Sequence, residues 1–265
     1  MTGPPAALVD HLTAAGVLSG VEWHARVGST NVVAGQAAAR GDAEIRALVA
    51  DEQTAGRGRQ GRTWASPPGT SLLHSLLVRP RVRAPALGLL PLLTGLALAE
   101  AVDGLLAGPP VALKWPNDLL VDGRKAAGIL VEGVEGSAFA VGIGVNVDWR
   151  GVERPAAVAD SATSLAEAAA GDVDRWALFA ALAETFSARY AAWQADPTAF
   201  LDPYRRRCAT LGAYVSAERA GARVEGLATR IADDGALELR TETGALRLLA
   251  GDVTHVRPLA GRRRS

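Results

Sequence analysis

The chain has 265 residues, 28 basic against 28 acidic side chains, 49% hydrophobic residues and one cysteine. At roughly 100 to 200 residues per domain this is enough for one large domain and a small one. A balanced charge gives no whole-molecule field to gather nucleic acid or an anionic membrane, a lone thiol excludes an intrachain disulfide, and the first apolar stretch carries Asp10 and His11 without a basic leader, so a soluble cytoplasmic protein is expected.

In chain order, a short helix over about Ala7 to Leu18 leads into a strand through Val21 to Val27. Ser29 or Thr30 then caps a helix that runs to about Ala39 and stops at Gly41. A strand follows from Ile45 to Asp51. The segment GRGRQGRTW, Gly56 to Trp64, has no apolar period and ends at Pro67-Pro68-Gly69, which predicts a mobile loop. Ser71 to Val78 alternates as a strand, and Ala86 to Leu106 is an apolar helix broken by too many prolines and glycines to be a membrane span. VALKW, DLLV, KAAGILVEGV and SAFAVGIGVNV read as an antiparallel meander, with a hairpin at Asp122-Gly123 and a turn at Glu135-Gly136.

Asp148 to Asp160 predicts a second loop. Thr163 to Trp193 is a long helical region whose Phe179, Leu182, Phe186 and Tyr190 form a core stripe. A basic turn, Tyr204 to Arg207, precedes short strands near Tyr214, Val224, Ile231, Leu237 to Leu239, Leu246 to Leu249 and Val253 to Val256. These make a small all-β unit from Leu211 to about Pro258, followed by a frayed tail, GRRRS. The fold class is α+β, in three parts: a short N-terminal helix (1–20), a main domain (21–207) and a small β domain (211–260).

The composition also singles out residues. The chain contains two lysines, Lys114 and Lys125, and three asparagines, Asn31, Asn117 and Asn146, while arginine supplies the other basic residues. A compact ammonium survives such a bias where a guanidinium fork would not fit. Gly56 to Gly61 spells GxGxxG, but no helix opens after it and the strands beyond are antiparallel, which rejects a dinucleotide-binding fold. What remains is a glycine loop presenting Arg57, Arg59 and Arg62, suited to phosphate or carboxylate. Asn117 and Asp118 lie at the mouth of a hairpin, and Lys125 returns toward the same mouth on the next strand. Lys114 either serves a phosphate or braces the sheet.

Ser29-Thr30-Asn31, Gln53, GRGRQGRTW, KWPNDLL, RKAAGILVE and GIGVNV together resemble the biotin protein ligase family, in its order and approximate spacing over about Val21 to Asn146. The resemblance implies a mixed, largely antiparallel sheet with helices, related to class II aminoacyl-tRNA synthetases, followed by a Src-homology-like β-barrel. It implies that biotin and ATP, with Mg²⁺, give biotinyl-5′-adenylate, and that a lysine of a biotin carboxyl carrier protein then takes the biotin. Carried over by motif, Ser29, Thr30, Asn31 and Gln53 would hold the ureido ring. Arg57, Gly58 and Arg59 would bind biotin and the adenylate phosphate, with Lys125 at the carboxylate. Arg62, Lys114, Asn117 and Asn146 would face the nucleotide, Trp64 would cover the adenine, and the metal ligands are unknown.

Asp118 would orient Lys125, accept the proton of the incoming lysine, or act as a local cap. The basic loop and part of the second loop would close on the ligand. About 20 residues before the first strand are too few for the winged helix of the family's repressors, so no DNA binding is expected, and the chain is a monomer or weak dimer. A lipoate or octanoate transferase of the same superfamily is the nearest rival.

Overall fold

The computed structural model describes residues 2–106, 108, 111–154, 156–219, 222–249 and 253–255. The main body runs through α1 (Ala6–Ala14), β1 (Gly20–Val27), α2 (Thr30–Ala39), β2 (Arg46–Gln53), β3 (Ser71–Val78), α3 (Ala84–Leu87), α4 (Leu90–Leu105), β4 (Val111–Lys114), β5 (Asp118–Val121), β6 (Arg124–Gly133) and β7 (Phe139–Asn146). Helices α5 (Leu165–Ala169), α6 (Arg175–Ala195) and α7 (Leu201–Arg207) follow. The remaining strands are β8 (Tyr214–Arg219), β9 (Ala222–Ile231), β10 (Leu237–Thr241), β11 (Gly244–Leu248) and β12 (Val253–His255).

The larger sheet has seven strands in the order β1-β2-β3-β7-β6-β5-β4. β1 and β2 pair in parallel and every other neighbouring pair is antiparallel, so the sheet is mixed and largely antiparallel as expected. The meander is β4 to β7. Its β5–β6 hairpin turns at Asp122 (φ 50°) and Gly123 (φ 71°), both left-handed as a two-residue turn requires.

β3 does not alternate between core and solvent. All eight of its residues are buried, because both faces of the sheet are covered here. Leu72, Leu76 and Val78 join the large core with α4 and α6, while Leu77 joins a smaller one under α2. Each buried leucine removes enough apolar surface for about 1.5 to 3 kcal/mol, so this central strand anchors both layers.

Three helical expectations need correction. The run Ala86 to Leu106 is two helices: the chain breaks at Gly88, and α4 restarts with a proline in its first two positions, where a missing N–H is harmless. The region Thr163 to Trp193 is also two, interrupted at Ala170, which is left-handed (φ 50°). Asp174 then caps α6 by accepting from the N–H groups of Trp176 and Ala177. The basic turn Tyr204 to Arg207 is the end of α7, whose Pro203 lies in the first turn and whose arginines suit the negative end of the helix dipole. Ser29 does stand at the N-cap of α2, but its side chain makes no cap bond.

The second sheet is antiparallel throughout, in the order β11-β10-β9-β8-β12, and Val224 and Ile231 share one strand, β9. Val256 to Pro258 and the tail GRRRS lie outside the described residues. This sheet abuts the main body at Trp115, which is 1% exposed. The indole N–H of Trp115 donates to Gly235 O (2.9 Å) and its backbone N–H to Thr210 Oγ1 (3.0 Å). Arg205 Nε donates to Ile231 O at 3.0 Å, and the same guanidinium pairs with Asp233 at 2.7 Å. Among the described residues no helix is long and apolar enough to cross a membrane.

Candidate active site

A cavity of about 180 Å³ lies on the α2 side of the larger sheet. Glycines make its floor. Gly128 and Gly144 face each other across β6 and β7, and Gly142 faces Ser75 on β3. Gly142 and Gly144 are two apart on one strand and so share a face. A Cβ at 128 or 144 would come within 2.7 or 2.6 Å of the Trp64 ring, and one at 142 within 2.4 Å of Asn31 Oδ1. The sequence GIG therefore leaves bare backbone where other groups must approach closely.

One end of the cavity is a polar network. The parallel pairing sets Val27 beside Gln53, so the start of α2 meets the end of β2. Thr30 donates from its backbone N–H (2.7 Å) and its hydroxyl (3.1 Å) to Gln53 Oε1. Asn31 Nδ2 donates to Leu130 O at 3.2 Å and to Glu132 Oε2 at 2.6 Å. Ser75 Oγ lies 2.7 Å from Thr30 Oγ1 and 2.6 Å from Asn31 Oδ1. Ser29, Thr30, Asn31 and Ser75 are all buried.

The basic glycine loop roofs the cavity. It is folded on itself, with Arg57 bridged to Thr63, Gly58 N–H donating to Arg62 O (2.7 Å) and Trp64 N–H to Gly56 O (2.9 Å). Arg57 pairs with Glu132 at 2.9 Å, Arg59 Nη1 donates to Asn117 Oδ1 at 3.2 Å, and Arg62 Nε donates to Arg59 O at 3.3 Å. Gly58 and all three arginines line the cavity.

Lys125 lies at the cavity wall beside Trp64. Its Nζ is 2.6 Å from Asp118 Oδ1 and 5.5 Å from the centre of the Trp64 ring. Its backbone is held by Ser161 O (3.0 Å) and by the N–H of Thr163 (2.9 Å), so the segment that follows the second loop braces the lysine. Asn117 Nδ2 donates to Ile129 O at 2.8 Å, and Asn146 Nδ2 to Thr163 O at 3.0 Å. Asn146 Oδ1 and the indole N–H groups of Trp64 and Trp149 are buried with no protein partner. An unpaired buried polar atom costs about 1 to 3 kcal/mol, so one acceptor and two donors are left for a polar ligand.

The structure thus brings Ser29, Thr30, Asn31, Gln53, Arg57, Gly58, Arg59, Arg62, Trp64, Asn117, Lys125 and Asn146 around one cavity. Asp118 reaches it through Lys125. Lys114 does not line it: it is opposite Asp118 on β4, the edge strand. Ser75, Glu132, Trp149, His74 and the floor glycines are additions. His74 is fully buried, lies edge-on to Phe179 at 5.7 Å, and burial lowers its pKa to about 3, so it is a neutral imidazole. The alternation of GIG could have suggested the floor, and Glu132 closes the RKAAGILVE motif without having been given a role there, whereas nothing near Ser75 marks it. Among the described residues no group of three or more His, Cys, Asp or Glu side chains is placed to hold a metal ion.

The model of the biotin/lipoate A/B protein ligase family matches residues 32–148. The biotin--[acetyl-CoA-carboxylase] ligase of Mycobacterium tuberculosis is 39% identical over 239 residues, 88% of each chain. The enzyme of the same name from Paracoccus denitrificans is 38% identical, over 78% of this chain and 88% of its own. Among solved structures, the biotin protein ligase of Aquifex aeolicus in complex with biotin and ATP superposes with a TM-score of 0.79 at 30% identity, over 89% of this chain and 98% of that one. The chain belongs to the biotin/lipoate A/B protein ligase family.

Proposed function

We infer that the chain is a biotin protein ligase. It activates biotin with ATP, forming biotinyl-5′-adenylate and pyrophosphate, and transfers biotin to a lysine on the biotin carboxyl carrier domain of a biotin-dependent carboxylase. The observation that carries the reading is the Lys125–Asp118 pair set beneath Trp64, in a cavity whose other end is the Thr30–Asn31–Gln53 network. A ureido ring offers two N–H donors and a carbonyl, and this network can match them. A lipoate ring offers none, and would leave the buried amides unmatched.

The carboxylate of biotin must approach the α-phosphorus of ATP, and two like charges 4 Å apart repel by about 4 kcal/mol at an effective dielectric of 20. Lys125 would offset this at the biotin carboxylate, with Asp118 holding the ammonium in place, and Arg59 would do so at the phosphate, oriented by Asn117. Asn146, Trp149 and Trp64 offer the unpartnered polar atoms that a nucleotide could use. Mg²⁺ would enter with the triphosphate, since this ion takes phosphate oxygens and water in preference to a protein cage, and would neutralise phosphate charge. The basic loop, with Trp64, would close over the mixed anhydride and exclude water until the carrier docks. We place the reaction in the cytoplasm, where ATP is at hand, and the enzyme as a monomer or weak dimer.

The test is exchange of labelled pyrophosphate into ATP. Exchange is expected with biotin and not with lipoate. Exchange indifferent to biotin would falsify the reading.

A further inference from the structure

Glu132, on β6, joins three separate pieces of chain through one atom. Its Oε2 accepts from Asn31 Nδ2 at 2.6 Å and from Arg57 Nη2 at 2.9 Å. Asn31 belongs to the first turn of α2 and Arg57 to the basic loop, so a single carboxylate oxygen ties the ring-binding end of the cavity to its roof.

The amide of Asn31 is fixed from both sides. Its Nδ2 has two hydrogens, and both have acceptors, Leu130 O at 3.2 Å and Glu132. Its Oδ1 has two lone pairs, of which the hydroxyl of Ser75 engages one, at 2.6 Å. Oδ1 itself lies against the glycine floor, where a Cβ on Gly142 would meet it at 2.4 Å. Turned over, the amide would set its oxygen against a backbone carbonyl and a carboxylate. Ser75 can donate or accept and cannot enforce the choice alone. The Leu130 carbonyl and the ionised carboxylate both can, since neither donates, and the charged contact is the shorter and stronger of the two.

We propose that Glu132 is a positioning residue with two tasks. It sets the Asn31 amide so that an acceptor faces an N–H of the biotin ring, and it fastens the basic loop, through Arg57, to the same point. The proposal rests on the biotin reading above. Neither task involves the reacting atoms, so both affect binding and retention more than chemistry.

Two variants separate the tasks. Glu132→Ala removes both contacts. Glu132→Gln keeps an amide oxygen for Asn31 but removes the charge that holds Arg57. With biotin and ATP varied separately in pyrophosphate exchange, Glu132→Ala is expected to raise the KM for biotin roughly tenfold or more while that for ATP stays within about twofold. Glu132→Gln is expected to keep the biotin KM within about threefold, yet to release biotinyl-adenylate from the loaded enzyme at least about fivefold faster when no carrier is present.

An unchanged biotin KM in Glu132→Ala, or equal rises for biotin and ATP, would overturn the proposal. If that variant does not fold, Glu132→Gln decides alone: adenylate released at the wild-type rate overturns it. Wild-type exchange that ignores biotin would bring down the functional reading and this proposal with it. Normal wild-type dependence beside an unaffected variant would bring down the proposal only.

Discussion

Lys125 meets Asp118 across an irregularity in the β5–β6 ladder: the register shifts between Leu119 and Leu120, and the ammonium comes to 2.6 Å from the carboxylate. The pair is part-buried, so its value lies in orientation more than in stability. Lys125→Ala is expected to lose at least about 2.7 kcal/mol of transition-state stabilisation, roughly a hundredfold in exchange. Asp118→Asn should lower adenylate formation and carrier transfer by similar factors if it orients the lysine. A defect confined to transfer would instead mark Asp118 as the base. Lys114→Arg, at the sheet edge, should stay within about twofold of wild type, since surface changes are usually within 0.5 kcal/mol.

The glycine floor gives a second expectation. Gly142→Ala would press a methyl group to 2.4 Å from Asn31 Oδ1, and Gly144→Ala to 2.6 Å from Trp64. The first should raise the KM for biotin about tenfold or more with a smaller change for ATP, as loss of a polar contact predicts. The second should displace Trp64, which its fluorescence would report. Wild-type affinity in both would show that the floor is not where ligand lies.

A third concerns an ion pair away from the cavity. Arg175 Nη1 is 2.6 Å from Asp51 Oδ1, with side chains only 11% and 10% exposed. Asp51→Ala would strand the guanidinium over Trp176, whose ring centre is 4.3 Å away. Denaturant unfolding is expected to show a loss of about 3 to 5 kcal/mol. A loss under 1 kcal/mol would mean that solvent reaches the arginine.

His74 supplies a pH dependence with a definite sign. Its folded pKa, about 3, lies below its ordinary value of 6.5. Between those values the unfolded chain binds a proton that the folded chain refuses, so stability falls as pH drops through 6.5 and the loss is complete near 3. The slope contributed is up to about 1.4 kcal/mol per pH unit. His74→Leu should flatten that part of the profile, leaving the carboxylates' share. Identical profiles for the two proteins would contradict a buried neutral imidazole.

Much of this site was legible in the sequence because its pieces are local. Asp122-Gly123 announces its turn by backbone conformation alone, and Ser29-Thr30-Asn31 and the arginine loop carry their chemistry in consecutive residues. Ser75, and the role of Glu132 at the end of RKAAGILVE, were not legible, since each becomes functional through a residue far along the chain: Asn31 and Glu132 are 101 positions apart. The strand pattern of SLLHSLLV suggested one wet face because period two cannot tell solvent from a second apolar layer. The helix containing Asp202-Pro203-Tyr204 was missed for a related reason: a run of arginines read as a turn, yet proline is tolerated in a helix's first turn and arginines suit its last.

The indole of Trp115, bonded to the carbonyl of Gly235, stands two and three residues from Asn117 and Asp118. One buried cluster runs from Leu96 and Tyr204 through Trp115 to Val215, Ile231 and Leu237. The two sheets therefore share a dry core with no solvated seam through that cluster along which they could part, and heat should melt them in a single cooperative transition. Loosening the small sheet would be felt first at the hairpin that carries the reaction's charges.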